Sequence, residues 1–269
     1  MTLGLLEGNL VALRGEGTTA LVFVHPASGM ATAFRRLLPH LGGDYQVLAF
    51  ENAGPVGTEL CSVGRLSARY TEELMSYGIE HVVLAGWSFG GSVALDLAAR
   101  FEAAGRKVSG VVLIDSGCPT VLDRAERTLG DELAGLFEFS STEELELGPA
   151  ASEQETWAAV LRVLRDRYRM PSLTRADLEP FLSAFTWHLE AIRAPWTPPR
   201  PTVPVFQIRA RQETGWGAVP ADLGWTAALG VAVQVTEAPG NHYSMLNTDH
   251  AAEFGSVLTT CLERLEWPK

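Results

Sequence analysis

The sequence is poor in the features that mark several large protein classes. Its 269 residues include only three cysteines, Cys61, Cys118 and Cys261, which are widely spaced and form no C-x-x-C pair. This spacing excludes a disulfide scaffold and a cysteine-rich zinc site, and it favours the reducing cytoplasm. No apolar run approaches the ~20 residues that span a bilayer, and the first residues lack the basic start of a signal peptide. We therefore expect a cytoplasmic protein without membrane contact.

Basic side chains are also scarce. The chain has 21 Lys and Arg residues against 32 Asp and Glu residues, which gives a formal charge of −11. Nucleic acids and anionic membranes are bound by clustered basic side chains, so we expect neither as a partner. The sequence contains no H-E-x-x-H motif, Walker A loop or dinucleotide fingerprint, and we expect no bound metal or cofactor.

Short apolar runs alternate with amphipathic segments along most of the chain, and this alternation predicts an α/β fold with a mostly parallel sheet flanked by helices. The predicted strands are Leu10–Leu13, Ala20–Val24, Tyr45–Phe50, His81–Ala85, Val108–Ile114, Val203–Arg209 and Val231–Thr236. The predicted helices are Ala31–Leu41, Leu66–Tyr77, Ser92–Ala104 and Ala251–Leu265.

The alternation stops in residues 119–201, which show helical periodicity but no convincing strand. We interpret them as a helical lid insertion in a single domain, whose core consists of residues 1–118 and 202–269. The lid segment is unevenly charged. Residues 121–155 carry ten acidic and two basic side chains, whereas residues 156–200 carry seven basic and four acidic ones.

A G-x-S-x-G motif provides the strongest functional signal. Gly86-Trp87-Ser88-Phe89-Gly90 follows an apolar strand and opens a predicted helix, which is the setting of a nucleophilic serine on a sharp strand-to-helix turn. Glycine is expected at positions 86 and 90, because a side chain there would collide where the strand and the helix approach closely. Ser88 is the predicted nucleophile.

A serine hydroxyl needs a base that removes its proton. His242 is the candidate base because it lies in a Pro/Gly-containing loop after the last predicted strand. A loop at this position can lay an imidazole over a serine at the same sheet edge. His188 lies in the lid segment and could line a pocket. His40 and His81 are expected to be structural or solvent-exposed, and His250 is expected to be an early residue of the last helix.

The imidazole in turn needs an acid that orients it. Two residues fit: Asp115 directly ends a buried strand, and Glu213 follows a later one. Either choice keeps the chain order serine, acid, histidine. Asp115 has the more rigid support.

An oxyanion hole needs two backbone N–H groups. Phe89, which follows the nucleophile, is the first candidate donor. Ala27, in the loop after an early strand, is the second, because the preceding Pro26 has no N–H. His25 in the same loop is expected to shape the turn.

With these residues placed, the chain resembles the type I thioesterase domains of nonribosomal peptide and polyketide synthases. The similarity lies in FVHPASG at 23–29, GWSFGGSVALDLA at 86–98, LIDSGCP at 113–119 and GNHYSML at 240–246. It implies an α/β-hydrolase fold with a helical lid between the sixth and seventh strands. It also implies a Ser88, Asp115 and His242 triad, with the acid after the sixth strand, which favours Asp115 over Glu213.

The resemblance further implies a Ser acyl-enzyme and an acyl or peptidyl substrate that arrives on the phosphopantetheine arm of a carrier protein. Release would occur by hydrolysis or by macrocyclisation. The alternatives are a free-standing editing thioesterase, a general carboxylesterase and, more remotely, a non-catalytic binding protein of the same fold. Carrier proteins of these systems are typically acidic, so Arg162, Arg165 and Arg169, on one face of a predicted lid helix, form a candidate docking surface.

Overall fold

The computed structural model describes residues 8–52, 61–119, 133, 145–148, 151–212 and 219–266. Within these residues, seven strands form one sheet in the order β1-β3-β2-β4-β5-β6-β7. The strands are β1 (Leu10–Arg14), β2 (Thr19–Val24), β3 (Gln46–Phe50), β4 (His81–Trp87), β5 (Lys107–Ile114), β6 (Val205–Ala210) and β7 (Gln234–Ala238). Only β1 runs antiparallel to its neighbour, which is β3. The predicted mostly parallel sheet is confirmed.

The helices in the described residues cover both faces of this sheet. They are α1 (Thr32–Arg35), α2 (Val63–Ser76), α3 (Phe89–Ala103), α4 (Glu153–Tyr168), α5 (Arg175–Arg193), α6 (Trp225–Leu229) and α7 (Ala251–Glu263). The central strands are buried on both sides, and the apolar side chains that alternate along them divide into two core clusters, one on each face. This explains why β2, β4 and β5 read as continuous apolar runs. No helix in the described part of the chain is long and apolar enough to cross a bilayer.

The predicted helix over residues 31–41 was wrong. The chain forms the four-residue α1 and then a separate 3-10 turn, Leu38–His40, with Pro39 in its first positions. A continuing helix would need an N–H that proline lacks, and the proline ring would clash with the preceding turn.

Two helices, α4 and α5, lie between β5 and β6 and pack on their own apolar cluster, which also contacts Ala27 of the core. In this sheet the lid helices therefore follow the fifth strand and not the sixth, because the described residues contain one strand fewer before this point than the resemblance implied. The loops after β2, β4, β5 and β7 all leave the same edge of the sheet, since these strands are parallel. That edge carries the candidate site.

Candidate active site

Ser88 lies at the sharp turn between β4 and α3. Its backbone has φ 54° and ψ −122°, a conformation that a residue with a side chain adopts only under strain. The backbone N–H of Ser88 donates to the carbonyl oxygen of Ile114 at 2.9 Å, which ties the turn to the end of β5. The hydroxyl is thereby held above the sheet at the N-terminus of α3, where the helix dipole favours negative charge.

The glycines around Ser88 allow this turn to form. A Cβ at Gly86 would overlap the carbonyl oxygen of Gly90, and a Cβ at Gly90 would overlap the carbonyl oxygens of Val24 and His25. The turn is therefore packed directly against the loop that follows β2. The turn that carries Phe89 and the loop that carries Ala27 are therefore neighbours.

His242 reaches Ser88 from the loop after β7. The Asn241 side chain shapes this loop, because its Oδ1 accepts hydrogen bonds from the backbone N–H groups of Tyr243 (3.0 Å) and Ser244 (2.9 Å). His242 Nε2 lies 3.1 Å from Ser88 Oγ, and the residue is 7% exposed. An unprotonated Nε2 at this distance can accept the hydroxyl proton.

Asp115 completes a hydrogen-bonded series of three side chains. Its Oδ2 accepts from His242 Nδ1 at 2.7 Å, and its Oδ1 accepts from the backbone N–H of Ala210 at 2.9 Å. The residue is 1% exposed and has φ 40°, a second strained backbone at this edge. The carboxylate therefore orients the imidazole so that its Nε2 faces Ser88 Oγ. The competing acid, Glu213, lies outside the described residues.

The two candidate oxyanion donors have backbone N–H groups without a partner among the described residues. Phe89 is the first residue of α3, and an N–H at this position has no acceptor within its own helix. Ala27 lies in the turn that Gly29 N–H closes by donating to Pro26 O at 2.9 Å. Both groups can donate to an oxyanion, which is the requirement for such a hole.

The remaining histidines divide into two groups. His81 opens β4 at the opposite sheet edge and contacts Ser109 Oγ, His40 ends the 3-10 turn, and His250 precedes α7. His25 and His188, by contrast, are completely buried, and their ring centroids lie 4.8 Å apart beside the loop that carries Ala27.

Burial determines the protonation state of this histidine pair. It lowers the pKa of His25 to about 3, with a further contribution from the His188 imidazole, and it lowers the pKa of His188 to about 4. Both rings are therefore neutral at neutral pH. The sequence placed His25 in the turn and His188 in the lid, but it contained no signal that the two rings meet.

The aromatic side chains of the lid segment lie in different environments. Trp157, Phe185 and Trp187 line a cavity of about 540 Å³ between α4 and α5, together with Glu153, Glu179 and Glu190 among others. Tyr168 and Phe181 are exposed, and Trp196 Nε1 donates to Asp96 Oδ1 at 3.1 Å.

The three arginines of the candidate docking surface are not equally available. Arg162 forms an ion pair with Glu146 at 3.1 Å and donates to Leu145 O. Arg165 Nε donates to Leu173 O at 2.8 Å, which joins the end of α4 to the start of the next helix. Arg169 is exposed just after α4. Arg165 therefore has a structural role that the sequence did not reveal.

A family model described as "Thioesterase domain" matches residues 19–264. Among curated relatives, the chain is 26% identical to an orsellinic acid synthase from Beauveria bassiana over 93% of this chain and 12% of the synthase. It is 29% identical to the thioesterase AMT4 from Alternaria alternata over 70% of this chain and 62% of that protein. The chain thus spans less than two thirds of each of these relatives.

Solved structures show the same architecture. The NocB thioesterase domain, determined in covalent complex with a fluorophosphonate nocardicin G analogue, is similar with a TM-score of 0.65 and 25% identity over 95% of this chain and all of that domain. A four-domain nonribosomal peptide synthetase is similar with a TM-score of 0.75 and 19% identity over 94% of this chain and 20% of the synthetase. The second likeness concerns the fold alone.

Replacement of Gly90 by alanine tests the close approach at the serine turn. The added methyl group must displace the backbone of Val24 and His25, so we expect Gly90→Ala to lower the free energy of unfolding by about 2–4 kcal/mol. Urea denaturation measures the effect. Gly42→Ala is the matched control, since nothing lies within 4 Å of its Cβ; equal stability of the two variants would contradict the described packing.

The neutral histidine pair predicts how stability depends on pH. Below its ordinary pKa of about 6.5 an unfolded histidine takes up a proton, whereas folded His188 stays neutral until about pH 4. The free energy of unfolding therefore falls as the pH is lowered from 6.5 towards 4. Between pH 7 and pH 5 we expect His188→Asn to lose about 2 kcal/mol less than the wild type.

Urea denaturation at the two pH values checks this difference. Leu178→Ala provides the control, because it removes buried apolar surface from the helix that carries His188 without removing a titratable group. It should lower stability by the same amount at both pH values. A His188→Asn variant with the wild-type pH dependence would show that His188 is not held neutral.

Proposed function

We propose a function from the premise that the chain belongs to the thioesterase domain family. In this proposal the chain releases an acyl or peptidyl group from the phosphopantetheine thioester of a carrier protein. The reaction passes through a covalent Ser88 acyl-enzyme. The observation that carries this proposal is the hydrogen-bonded series Asp115–His242–Ser88. A buried carboxylate, an oriented imidazole and a partly exposed serine hydroxyl together supply what acyl transfer needs. The substrate and the carrier-protein partner of the whole protein are likewise proposed.

The first step forms the acyl-enzyme. His242 Nε2 takes the proton from Ser88 Oγ, and the oxygen attacks the thioester carbonyl carbon. Asp115 accepts from Nδ1 and stabilises the imidazolium that results. The C–S bond then breaks, and the thiol of the carrier arm leaves with the proton from His242. The acyl group remains on Ser88 as an oxygen ester.

The tetrahedral intermediate carries a negative oxygen that must be stabilised. We assign this role to the backbone N–H groups of Ala27 and Phe89, which have no other acceptor among the described residues. Donors that are already oriented need no rearrangement as the charge develops, which is why an oxyanion hole lowers the barrier. The close packing of Gly90 against the loop after β2 supports this assignment.

The second step transfers the acyl group to another nucleophile. His242 removes a proton from water, or from an amine or hydroxyl of the acyl chain itself, and the new nucleophile attacks the Ser88 ester. The bond between the acyl carbon and Ser88 Oγ then breaks, and Oγ regains its proton from His242. Water yields a free acid, and an internal nucleophile yields a ring. The cavity lined by Trp157, Phe185 and Trp187 is the proposed place for the acyl chain. The ring of Trp187 lies 5.5 Å from that of His188, which in turn lies 5.6 Å from the ring of Phe89 in the serine turn.

Two other hydrolytic functions share this chemistry. A general carboxylesterase would use the same three side chains on oxygen esters, and an editing thioesterase would remove short misloaded acyl groups from carriers. Comparison of kcat/KM for an acyl thioester and the matching oxygen ester separates the first from our proposal. Comparison of kcat/KM for carrier proteins loaded with short and with long acyl groups separates the second.

For carrier docking we retain the surface formed by Arg162 and Arg169 and remove Arg165, whose guanidinium is bonded to Leu173 O. Arg162 is about half exposed although it pairs with Glu146. Acidic groups of a carrier could therefore exchange with Glu146. Seven basic residues in 156–200, on a chain of net charge −11, make this the more basic side of the lid.

Substitutions in the three side chains test the mechanism. Ser88→Ala should abolish thioester hydrolysis and fluorophosphonate labelling without unfolding the protein. Asp115→Asn should lower kcat by about 10³- to 10⁴-fold, because the imidazole loses its orientation. Steady-state kinetics and circular dichroism check both. If Glu213→Gln is more damaging than Asp115→Asn, the assignment of the acid is wrong.

Charge reversal tests the docking surface. Arg162→Glu together with Arg169→Glu should raise KM for an acyl carrier protein substrate while leaving KM for the same acyl group on N-acetylcysteamine unchanged. Attraction between opposite charges at an interface acts mainly on encounter, so the difference should shrink in high salt. Arg106→Glu, at the opposite sheet edge, is the control. An unchanged carrier KM would contradict the proposed surface.

A further inference from the structure

Two buried histidines contact the peptide groups on either side of Ala27, the residue to which we assign one oxyanion N–H. His25 Nδ1 lies 2.7 Å from the carbonyl oxygen of Pro26, and His188 Nδ1 lies 2.8 Å from the carbonyl oxygen of Ala27. A carbonyl oxygen can only accept, so Nδ1 carries the proton in both rings. Each histidine therefore fixes one of the two peptide planes that meet at the Ala27 Cα.

The contact from His25 bears directly on the proposed donor. The Pro26 carbonyl and the Ala27 N–H belong to one planar trans peptide group and point in opposite directions. Hydrogen bonds at the oxygen, from His25 and from Gly29 N–H at 2.9 Å, consequently fix the direction of the N–H. They also draw electron density towards the oxygen and make the N–H a stronger donor.

A chain of donors ends at the same oxygen. Asn52 Nδ2 donates to Tyr70 OH at 3.2 Å, and Tyr70 OH donates to His25 Nε2 at 2.6 Å, since Nδ1 already carries the proton of the neutral ring. All three residues are at most 2% exposed. Hydrogen bonds aligned in this way polarise one another, so the series strengthens the bond to Pro26 O.

The contact from His188 comes from a different part of the chain. His188 lies in α5 of the lid, 161 residues from Ala27, and its ring also packs against Phe89 with centroids 5.6 Å apart. His188 Nε2 is buried without a partner in the described residues. Burial of this unpaired nitrogen opposes folding, and a ring needed only to fill space would not require it.

We propose that His25 and His188 are positioning residues of the oxyanion hole, and that His188 makes the hole complete only while the lid helix α5 is seated on the Ala27 loop. The inference rests on the proposed function, in which Ala27 N–H receives the oxyanion. Neither ring touches the reacting atoms. His25 holds the donor from within the core, and His188 holds it from the lid.

Substitutions at His188 test the lid contact. His188→Leu removes the donor, whereas His188→Asn keeps an N–H close to the position of Nδ1. With the N-acetylcysteamine thioester of octanoic acid, we expect His188→Leu to lower kcat by about 10- to 100-fold, somewhat less than the loss of a whole oxyanion donor. KM should stay near the wild-type value, and His188→Asn should recover most of the lost kcat.

The labelling rate of Ser88 by a fluorophosphonate gives a second readout that does not depend on the acyl group. It should fall in parallel with kcat, since the phosphonyl oxygen occupies the oxyanion hole. Tyr70→Phe, which removes only the hydroxyl behind His25, should lower both rates by a smaller factor. Phe181→Ala, on the exposed side of the same helix α5, controls for a substitution in α5 that leaves the lid in place and should retain both rates.

Three outcomes would overturn this inference. The first is a folded His188→Leu variant with wild-type kcat and labelling rate. The second is an equal loss in Phe181→Ala, and the third is no recovery in a folded His188→Asn variant. A wild-type protein that does not label at Ser88 would instead contradict the proposed function, from which the inference follows.

Discussion

The hydrogen bond between Asp115 and His242 is the interaction on which the candidate site depends. It joins the end of β5 to the loop after β7, two elements that are 127 residues apart in the chain. The sheet makes the contact possible, because parallel strands deliver their following loops to one edge. Asp115 is fixed in turn by Ala210 N–H at the end of β6, and Ser88 by Ile114 O at the end of β5. Orientation of the imidazole therefore comes from backbone contacts of the core.

The oxyanion side of the site has a different kind of support. The Ala27 loop is held by the serine turn at Gly90, by the buried series that ends at His25, and by His188 from the lid. Of these contacts, only the one between His188 and Ala27 O can break without a rearrangement of the core. The nucleophile and its base would thus remain in place while the lid moves, and the stabilisation of the oxyanion would respond. In the proposed mechanism, this couples the seating of the lid to the rate of acyl transfer.

The sequence predicted the parts of the molecule that follow from local chemistry. The apolar runs of β2, β4 and β5 indicated buried parallel strands, and the resemblance to synthase thioesterases is confirmed by the family match. The motif around Ser88 and the loop around His242 directed attention to residues that the fold brings together. Asp115 and Glu213 remained in competition, because spacing along the chain does not say which strand end faces the imidazole. The prediction of one helix over residues 31–41 was wrong because Pro39 lacks the N–H that a continuous helix needs, although the apolar periodicity extends past it. His188 was beyond prediction, since its contact with Ala27 depends on how the lid packs.

Detection of the acyl-enzyme tests the central claim most directly. The wild-type protein and the Ser88→Ala variant would be incubated with an octanoyl N-acetylcysteamine thioester, quenched in acid, digested and examined by mass spectrometry. We expect an octanoyl adduct on the peptide that contains Ser88 in the wild type, and no adduct in Ser88→Ala. Thioester hydrolysis that continues in Ser88→Ala, or an adduct on another residue, would contradict the account.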